Sequence, residues 1–326
     1  MSVVMPVFNA GRYLDRALES VLTQGVDSLE VICVDDGSSD NSGEILRGCA
    51  SRDKRIRLFK QPNAGQGAAR NLALEQATGD YVAFVDADDL LLPGALKQML
   101  ARVGDSDVLV YDFVRFRNEA QLAGKRDLPD EPAKVVPRED LLRMMGVVWN
   151  KLVQRRWLES VAFRFPEGMI YEDIPAHWKL ILLPERIRHL GSPLYALRAH
   201  SGSTTANAGL RRMDSANAFR MVEEFLRASG NWPEYRDVFL PCQLRNLAQM
   251  CDALSEQGEE AIARAAVDRD MGTEQRAALC RLPLHWRDRD VFFSMEGNRL
   301  AKTRRYAFTR LRKAYRTFKK RLVLQR

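Results

Sequence analysis

The chain is poor in cysteine and histidine and has no long apolar run. Its 326 residues include five Cys and four His, and the Cys show no C-x-x-C pair or other metal-site spacing. They predict reduced thiols in a cytoplasmic protein, because disulfides persist mainly in oxidising compartments. No apolar stretch approaches the roughly 18 to 20 residues that span a bilayer, and a strand pattern beginning at Ser2 argues against a signal peptide. A disulfide scaffold and a multispanning channel are therefore not expected.

Positive charge is concentrated near the carboxyl terminus. The chain carries a net charge of +7, yet residues 299–326 hold twelve Lys or Arg and no acid, which leaves −5 for the other 298 residues. Apolar residues recur in this tail every three or four positions: Phe308, Leu311, Tyr315, Phe318 and Leu322. Such a helix can lie on an anionic membrane, pack on the protein itself, or pair with a second subunit in a homodimer. No recognised nucleic-acid module accompanies the charge, so no nucleic-acid partner is expected.

The amino-terminal part repeats an apolar strand, a polar loop and an amphipathic helix. The apolar segments are residues 2–9, 29–35, 55–61 and 81–85. After the first of them, Leu14, Ala17, Leu18 and Val21 have the spacing of one buried helix face. This alternation predicts an α/β fold with a parallel sheet and right-handed crossovers. Ligands of such sheets bind at the carboxyl ends of the strands.

Polar side chains follow several of these strands. The fourth strand ends in Asp86, Asp88 and Asp89, and acids at the end of a buried strand are costly unless a cation or polar ligand compensates them. Oxygen ligands of this kind suit Mg²⁺ or Mn²⁺. A lone D-x-D often marks only a solvated turn. The prediction therefore depends on the polar residues that are expected to gather at the same edge: Asn9, Asp35, Asp36, Arg70, Asp86 and Asp88.

Taken in order, these segments resemble the family 2 glycosyltransferases of the GT-A fold, chiefly inverting enzymes that use nucleotide-diphosphate sugars. The matching segments are VVMPVFN (3–9), VDDGSSD (34–40), NAGQGAARN (63–71), GDYVAFVDADD (79–89), NKL (150–152), YED (171–173) and RAHSGS (198–203). The resemblance implies a GT-A catalytic domain over residues 1–205, with a Rossmann-like, nucleotide-binding mixed sheet flanked by helices. Helical periodicity predicts a helical C-terminal subdomain over 206–298, followed by the basic amphipathic tail 299–326.

The resemblance also implies a donor site at the sheet edge. The expected nucleotide-sugar-binding residues are Pro6, Val7, Phe8, Asn9, Asp35, Asp36, Arg70 and Asp86. Asp36 would accept a hydrogen bond from the base, Asp86 would contact the ribose, and Arg70 would lie near the diphosphate. Asp88 would hold Mn²⁺ or Mg²⁺, with His200 completing the metal site. Taken singly, a turn at Asp36, an ion pair at Arg70 or a purely structural His200 would explain the same residues.

The YED segment begins a predicted helix, and its acids would act on the acceptor. The resemblance assigns the general base to Asp173, with Glu172 as the second choice. A helix N-terminus favours the carboxylate and weakens a base, whereas burial acts in the opposite direction. Trp149 and Lys151 are expected on the acceptor side, where Trp149 would stack on a sugar. A Trp buried for packing is the alternative.

Together, these features predict a metal-dependent inverting glycosyltransferase that moves a sugar from a nucleotide-diphosphate donor, first of all a UDP-sugar. The acceptor would be a hydroxyl of a glycan or lipid-linked glycan in surface polysaccharide synthesis, at the inner face of the cell membrane. The alternative is a non-catalytic nucleotide-sugar-binding assembly partner at the membrane. Asp88 and Asp173 argue against this alternative, because a binding protein needs no base.

Overall fold

The computed structural model describes residues 1–123, 131–200, 202 and 208–255. They belong to two compact units, Met1–Asp214 and a second that begins at Ser215. The predicted tail 299–326, and residues 206–207 and 256–298 of the predicted subdomain, lie outside the described residues. The division of the chain at 205 and 298 therefore stays a prediction.

The first unit combines strands and helices along its whole length. Its strands are β1 (Ser2–Val7), β2 (Glu30–Asp35), β3 (Ile56–Lys60), β4 (Tyr81–Phe84), β5 (Leu90–Leu91), β6 (Val108–Phe116), β7 (Lys151–Gln154) and β8 (Ile187–Arg198). Its helices are α1 (Leu14–Leu22), α2 (Ser42–Arg52), α3 (Gln66–Gln76), α4 (Ala95–Val103), α5 (Arg138–Leu142), α6 (Arg155–Ser160) and α7 (Asp173–Leu182). Short 3₁₀ turns lie at Glu119–Leu122 and Gly209–Met213.

Within the described residues, the strands form a single mixed sheet in the order β3-β2-β1-β4-β7-β6-β8-β5. The first four strands in sequence are parallel to one another, as the repeat predicts. Strand β7 is antiparallel to both β4 and β6, β8 is parallel to β6, and β5 is antiparallel to β8. The α/β class is confirmed, with an antiparallel insertion that the amino-terminal repeat does not predict.

Strand register decides which loops meet at the carboxyl edge of the sheet. Strand β1 is buried at every position, and α1 buries the apolar face predicted from its spacing. Val7 at the end of β1 pairs with Asp35 at the end of β2, and Val4 pairs with Phe84 of β4. The segments after β1, β2 and β4 therefore leave the sheet side by side, at the point where the strand order reverses direction. Parallel sheets bind ligands in the crevice at such a point.

The second unit is helical where it is described, with α8 (Asp214–Ala228) and α9 (Trp232–Ser255). Helix α8 buries Phe219, Val222 and Leu226 on one side, and the ring of Phe219 lies 5.8 Å from that of Phe239. These two helices agree with the helical periodicity predicted for this part of the chain. None of the described helices is long and apolar enough to cross a membrane.

The amino edge of the sheet, opposite that crevice, is held by the carboxylate of Glu30. Its Oε1 accepts hydrogen bonds from the Ser2 hydroxyl at 2.6 Å and from the Thr78 backbone N–H at 2.7 Å. Its Oε2 accepts one from Arg57 at 2.6 Å. Partial burial alone would raise the pKa of Glu30, but these hydrogen bonds outweigh burial and lower the pKa to about 2. The carboxylate thus joins β1, β2, β3 and the approach to β4.

We expect Glu30→Gln to lower the free energy of unfolding at pH 7 by about 1 to 3 kcal/mol, because charge-assisted hydrogen bonds are weakened. Since the folded-state pKa lies below the ordinary Glu value, this contribution is lost as the pH falls from about 4.5 towards 2. Chemical denaturation at both ends of this range would measure the difference. Glu75→Gln, which alters an exposed pair with Arg164, is the control, and a difference independent of pH would contradict the assignment.

Candidate active site

The three aspartates after β4 lie in three different environments. Asp86 pairs with Arg70, whose Nη2 lies 2.9 Å from its Oδ1. Asp89 is buried and accepts hydrogen bonds from the Tyr195 hydroxyl at 2.8 Å and the Arg198 backbone N–H at 2.6 Å. Asp88 has the most accessible side chain, and its Oδ2 lies 2.8 Å from Nε2 of His200. Of the three carboxylates, that of Asp88 is the most accessible to a ligand, with that of Asp86 next and that of Asp89 buried.

Arg198 holds the turn that presents Asp88. Its Nε donates to the Asp88 carbonyl oxygen at 2.7 Å, and its guanidinium carbon lies 4.8 Å from the ring centroid of Tyr13 and 4.5 Å from that of Phe116. The ring of His200 also contacts Tyr13, with centroids 4.8 Å apart. Sequence reasoning did not identify a role for Arg198 or Tyr13. Apart from the position of Arg198 two residues before His200, the chain carries no local signal for these contacts.

Arg70 is the centre of the buried part of the site. Its side chain is only 2% exposed, and its two Nη atoms bind Asp86 at 2.9 Å and Glu172 at 2.5 Å. Burial lowers the pKa of Arg70, but the nearby carboxylates of Asp86, Glu172 and Asp173 together raise it by more, so the guanidinium stays charged. The arginine predicted beside the donor diphosphate therefore lies beneath the sheet edge, where it joins α3, the end of β4 and the start of α7.

Residues next to Arg70 hold the segment that enters α7. The Asn71 side chain donates to the Phe165 carbonyl at 3.0 Å and accepts from the Phe165 N–H at 2.9 Å. A Cβ on Gly67 would lie 2.0 Å from the Pro166 carbonyl oxygen, so this glycine permits close packing of α3 on that segment. Tyr171, directly before the two acids, has a φ of +68°. The segment is thus fixed at both ends.

Asp173 is the first residue of α7, and the charges of Arg70, Glu172 and Asp86 act on its carboxyl group. Burial and the negative charge of Glu172 raise the pKa of Asp173 to about 8, although Arg70 acts to lower it. The opposing effect of the helix N-terminus is therefore the weaker one. Glu172 itself is 4% exposed and bound to Arg70. The carboxyl group that combines basicity with partial access is that of Asp173.

The residues expected to bind the nucleotide lie at the ends of β1 and β2. Pro6 and Val7 are buried in β1, whereas the Phe8 side chain is 48% exposed. Asn9 has a φ of +49°, and its Oδ1 accepts from the Ser39 N–H at 2.8 Å. Phe8 is thus the member of the PVFN segment that offers an apolar surface to a ligand. Asn9 shapes the adjoining loop.

Asp35 and Asp36 are both buried and organise the neighbouring loops. Oδ1 of Asp35 accepts from the Ser38 N–H at 2.9 Å. The carboxylate of Asp36 accepts from the N–H groups of Ala64 at 2.8 Å and Gly65 at 2.9 Å. These bonds hold the Ala64–Gly65 turn, which leads into α3, against the end of β2. They also fix the orientation of the Asp36 carboxylate.

Trp149 and Lys151 do not occupy the acceptor-side positions expected from the sequence. Trp149 is 3% exposed and stacks on Tyr195, with ring centroids 4.4 Å apart. Lys151 is 0% exposed, and its Nζ donates to the Asn150 side chain at 2.7 Å. Neither side chain offers a surface to a sugar, so both are corrected to interior positions. The packing alternative for Trp149 agrees with the structure.

The side chains at the sheet edge suit a metal ion that takes some of its ligands from the protein and the others from a bound substrate. In the part of the chain that the structure describes, no group of three or more His, Cys, Asp or Glu is arranged to hold a metal by itself. Asp88 and His200 nevertheless provide one carboxylate and one imidazole that already lie within contact distance. Mn²⁺ accepts both ligand types, and ions of this class bind through few protein groups together with substrate phosphates.

Comparison with known proteins agrees with this geometry. Residues 2–173, just over half of the chain, match the family model described as Glycosyl transferase family 2. EpsH of Bacillus subtilis (strain 168) is 30% identical over 248 residues, 72% of each protein. The glycosyltransferase GlyA of Streptococcus pneumoniae is 32% identical over 217 residues, but the match covers only 31% of GlyA. The chain belongs to glycosyl transferase family 2 and is a glycosyltransferase.

Solved structures share the fold. TarS 1–349 of S. aureus, crystallised in complex with UDP-GlcNAc, aligns with a TM-score of 0.56 at 23% identity, covering 82% of this chain and 88% of TarS. The mannosyltransferase PcManGT of Pyrobaculum calidifontis, in complex with GDP-Man and Mn²⁺, aligns with a TM-score of 0.57 at 18% identity, covering 90% and 83%. The predicted GT-A architecture is confirmed.

We expect Asp173→Asn to stabilise the protein at alkaline pH. The raised folded-state pKa means that the wild type is favoured at low pH and loses stability as the pH rises from about 4 to about 8. The melting temperature of the variant should therefore exceed that of the wild type by several degrees at pH 8.5, and by much less at pH 5. Asp105→Asn, in an exposed pair with Arg188, is the control. Equal differences at the two pH values would show that the pKa of Asp173 is ordinary.

Proposed function

We propose that this protein is a metal-dependent inverting glycosyltransferase that transfers a sugar from a UDP-sugar to an acceptor hydroxyl. The observation that carries the proposal is the link between the two halves of the site. Asp86 at the end of β4 and Glu172 beside Asp173 bind the same guanidinium. A donor-binding edge and a candidate base are thereby held within one buried network.

The donor would occupy the crevice after β1, β2 and β4. The exposed ring of Phe8 offers an apolar surface to the base, Asp36 lies at the end of β2 with a fixed carboxylate, and Asp86 reaches the edge from β4. TarS and PcManGT share the fold and bind UDP-GlcNAc and GDP-Man respectively, which supports a nucleotide-diphosphate sugar. Uridine is the first base to test and guanosine the second.

Asp88 and His200 would hold Mn²⁺ or Mg²⁺ next to the diphosphate. When bound, the ion offsets the negative charge that builds up on the departing nucleoside diphosphate. The neighbouring residues hold Asp88 in position for this ion: Arg198 fixes the backbone of Asp88, and Asp89 fixes Arg198. Mn²⁺ in the PcManGT complex supports this choice of ion.

Asp173 would act as the general base. The acceptor oxygen attacks the anomeric carbon from the face opposite the diphosphate while Asp173 takes the hydroxyl proton. The bond from the anomeric carbon to the phosphate oxygen breaks, and its electron pair leaves with the diphosphate. Transfer in one displacement inverts the anomeric configuration. A base is most effective when its pKa lies near the working pH, and burial raises the pKa of Asp173 into that range.

Two variants separate donor binding from transfer. We expect Asp88→Asn to weaken Mn²⁺-dependent UDP binding more than tenfold, because an amide is a poorer cation ligand than a carboxylate. Asp173→Asn should bind UDP and Mn²⁺ like the wild type but transfer sugar about 10² to 10⁴ times more slowly, because it lacks the base. Titration calorimetry with UDP and GDP, with and without Mn²⁺, measures binding, and a screen of labelled sugar donors and acceptors measures transfer.

The control for both variants is Asp105→Asn, which lies outside the site. Metal-independent binding of either nucleotide would overturn the role given to Asp88. Full transfer activity in Asp173→Asn would overturn the role given to the base. A protein that binds UDP with Mn²⁺ but transfers nothing with either Asp or Asn at position 173 would fit the non-catalytic assembly partner.

We further propose that the acceptor is a glycan or lipid-linked glycan of a surface polysaccharide, and that residues 299–326 bring the enzyme to an anionic membrane. The support is the twelve basic residues of that segment and its apolar spacing. Each basic residue near an anionic surface contributes roughly 1 kcal/mol. These residues lie outside the described part of the chain.

The full chain should cosediment with vesicles that contain phosphatidylglycerol, and a chain ending at residue 298 should remain in the supernatant. Binding should weaken as salt is raised, because electrostatic attraction is screened. Vesicles of phosphatidylcholine alone are the control. Equal sedimentation of both chains would show that the tail does not bind membrane, and a change in oligomeric state on truncation would assign it to subunit pairing.

A further inference from the structure

We propose that Arg70 and Glu172 are a buried positioning pair that couples donor-side Asp86 to the base Asp173, and that neither contacts the substrate. The inference rests on the proposed function, because it takes Asp173 as the base and Asp86 as part of the donor site. It differs from the sequence expectation, which placed Arg70 at the diphosphate and kept Glu172 as a second base.

The guanidinium of Arg70 is bound to carboxylates through both of its terminal nitrogens. One Nη atom binds Asp86 at 2.9 Å and the other binds Glu172 at 2.5 Å, while its carbon lies 5.5 Å from the ring centroid of Phe165. The remaining nitrogen, Nε, is buried and has no hydrogen-bond partner. An arginine fork can join two carboxylates at fixed angles, which a lysine ammonium cannot reproduce. The pair therefore sets the distance between the end of β4 and the start of α7.

Solvent accessibility separates Arg70 and Glu172 from Asp86. The side chains of Arg70 and Glu172 are 2% and 5% exposed, whereas that of Asp86 is 19% exposed. A diphosphate or an acceptor hydroxyl at the sheet edge can reach Asp86 but not the two groups beneath it. Glu172 directly precedes Asp173 in the chain, so a shift of the Glu172 carboxylate also moves the base. A movement of about 1 Å at a reacting group can lower a rate about a hundredfold.

Charged groups surround Asp173 on several elements. The groups that act on its carboxyl are Glu172 and Tyr171 before the helix, Arg70 of α3, Asp86 after β4 and Lys151 of β7. The charge of Glu172 raises the pKa of Asp173, and the charge of Arg70 lowers it. If Arg70 and Glu172 position the base, removing the charge of one should raise the pKa of Asp173 and removing the charge of the other should lower it.

That opposition provides the test, because a purely structural pair would not produce it. In Glu172→Gln, the pKa of Asp173 should fall by about one pH unit, since a neighbouring negative charge is removed. In Arg70→Gln it should rise by a similar amount, since the compensating positive charge is lost. Protein labelled with ¹³C at the aspartate carboxyl carbon reports this titration by NMR without donor or acceptor. The resonance of Asp173 is assigned by its absence in Asp173→Asn.

Arg70→Lys keeps the positive charge but removes the two-pronged guanidinium, so it tests whether the geometry of the pair matters. It also replaces Arg70→Gln if that variant does not fold. We expect Arg70→Lys to leave UDP affinity within about threefold of the wild type and to reduce kcat about tenfold to a hundredfold. Glu172→Gln should show the same separation of kcat from UDP affinity. Glu75→Gln, at the exposed end of α3, is the matched control and should change neither the titration nor kcat.

Opposite shifts in the two variants, with UDP affinity retained, support the inference. Shifts in the same direction, or an unmoved titration in folded variants, overturn it. A loss of UDP affinity greater than tenfold in Arg70→Lys also overturns it, because Arg70 would then contact the donor. Failure of the proposed function would look different: Asp173→Asn would retain transfer, whatever the NMR titration showed.

Discussion

The structure of the site depends on one buried cation. Arg70 lies among the carboxylates of Asp86, Glu172 and Asp173, and its charge opposes the repulsion that would otherwise separate them. Breaking a buried ion pair leaves an uncompensated charge and is strongly destabilising. The guanidinium therefore has to stay in place for the end of β4 and the start of α7 to remain adjacent. The bonds of Asn71 to Phe165 hold the segment between α3 and α7 against the same helix.

The two edges of the sheet show opposite electrostatic designs. At the amino edge, a single carboxylate, Glu30, is satisfied by several donors, and its pKa is lowered to about 2. At the carboxyl edge, carboxylates outnumber the arginine that binds them, and burial raises the pKa of both Asp86 and Asp173. The first arrangement stabilises the fold. The second arrangement leaves negative charge that a bound cation can offset. Such unbalanced charge is common at functional sites and costs some stability.

Asp173, the proposed base, illustrates how competing local effects are decided. Its place at the first position of α7 favours the charged carboxylate through the helix dipole. Burial and the adjacent Glu172 act against this and are the larger effects, so the pKa of Asp173 is raised. The sequence shows Asp173 at the helix start, but the balance depends on how much water the surrounding elements exclude. That quantity exists only after α3, β4 and α7 have packed together.

Much of this protein was determined by local sequence. The four parallel strands, the apolar face of α1 and the start of α7 follow from hydrophobic period and polar strand ends, and the ordered motifs indicated the family. The sequence did not determine which acid binds which cation: Asp86 and Asp89 are occupied, whereas Asp88 is accessible. It also did not show that Trp149 and Lys151 are buried, because a motif of consecutive residues does not reveal what packs over it. Ion pairs and burial depend on residues that are distant in sequence, such as Arg70 and Glu172, which are 102 positions apart. Only the tertiary structure brings such residues together.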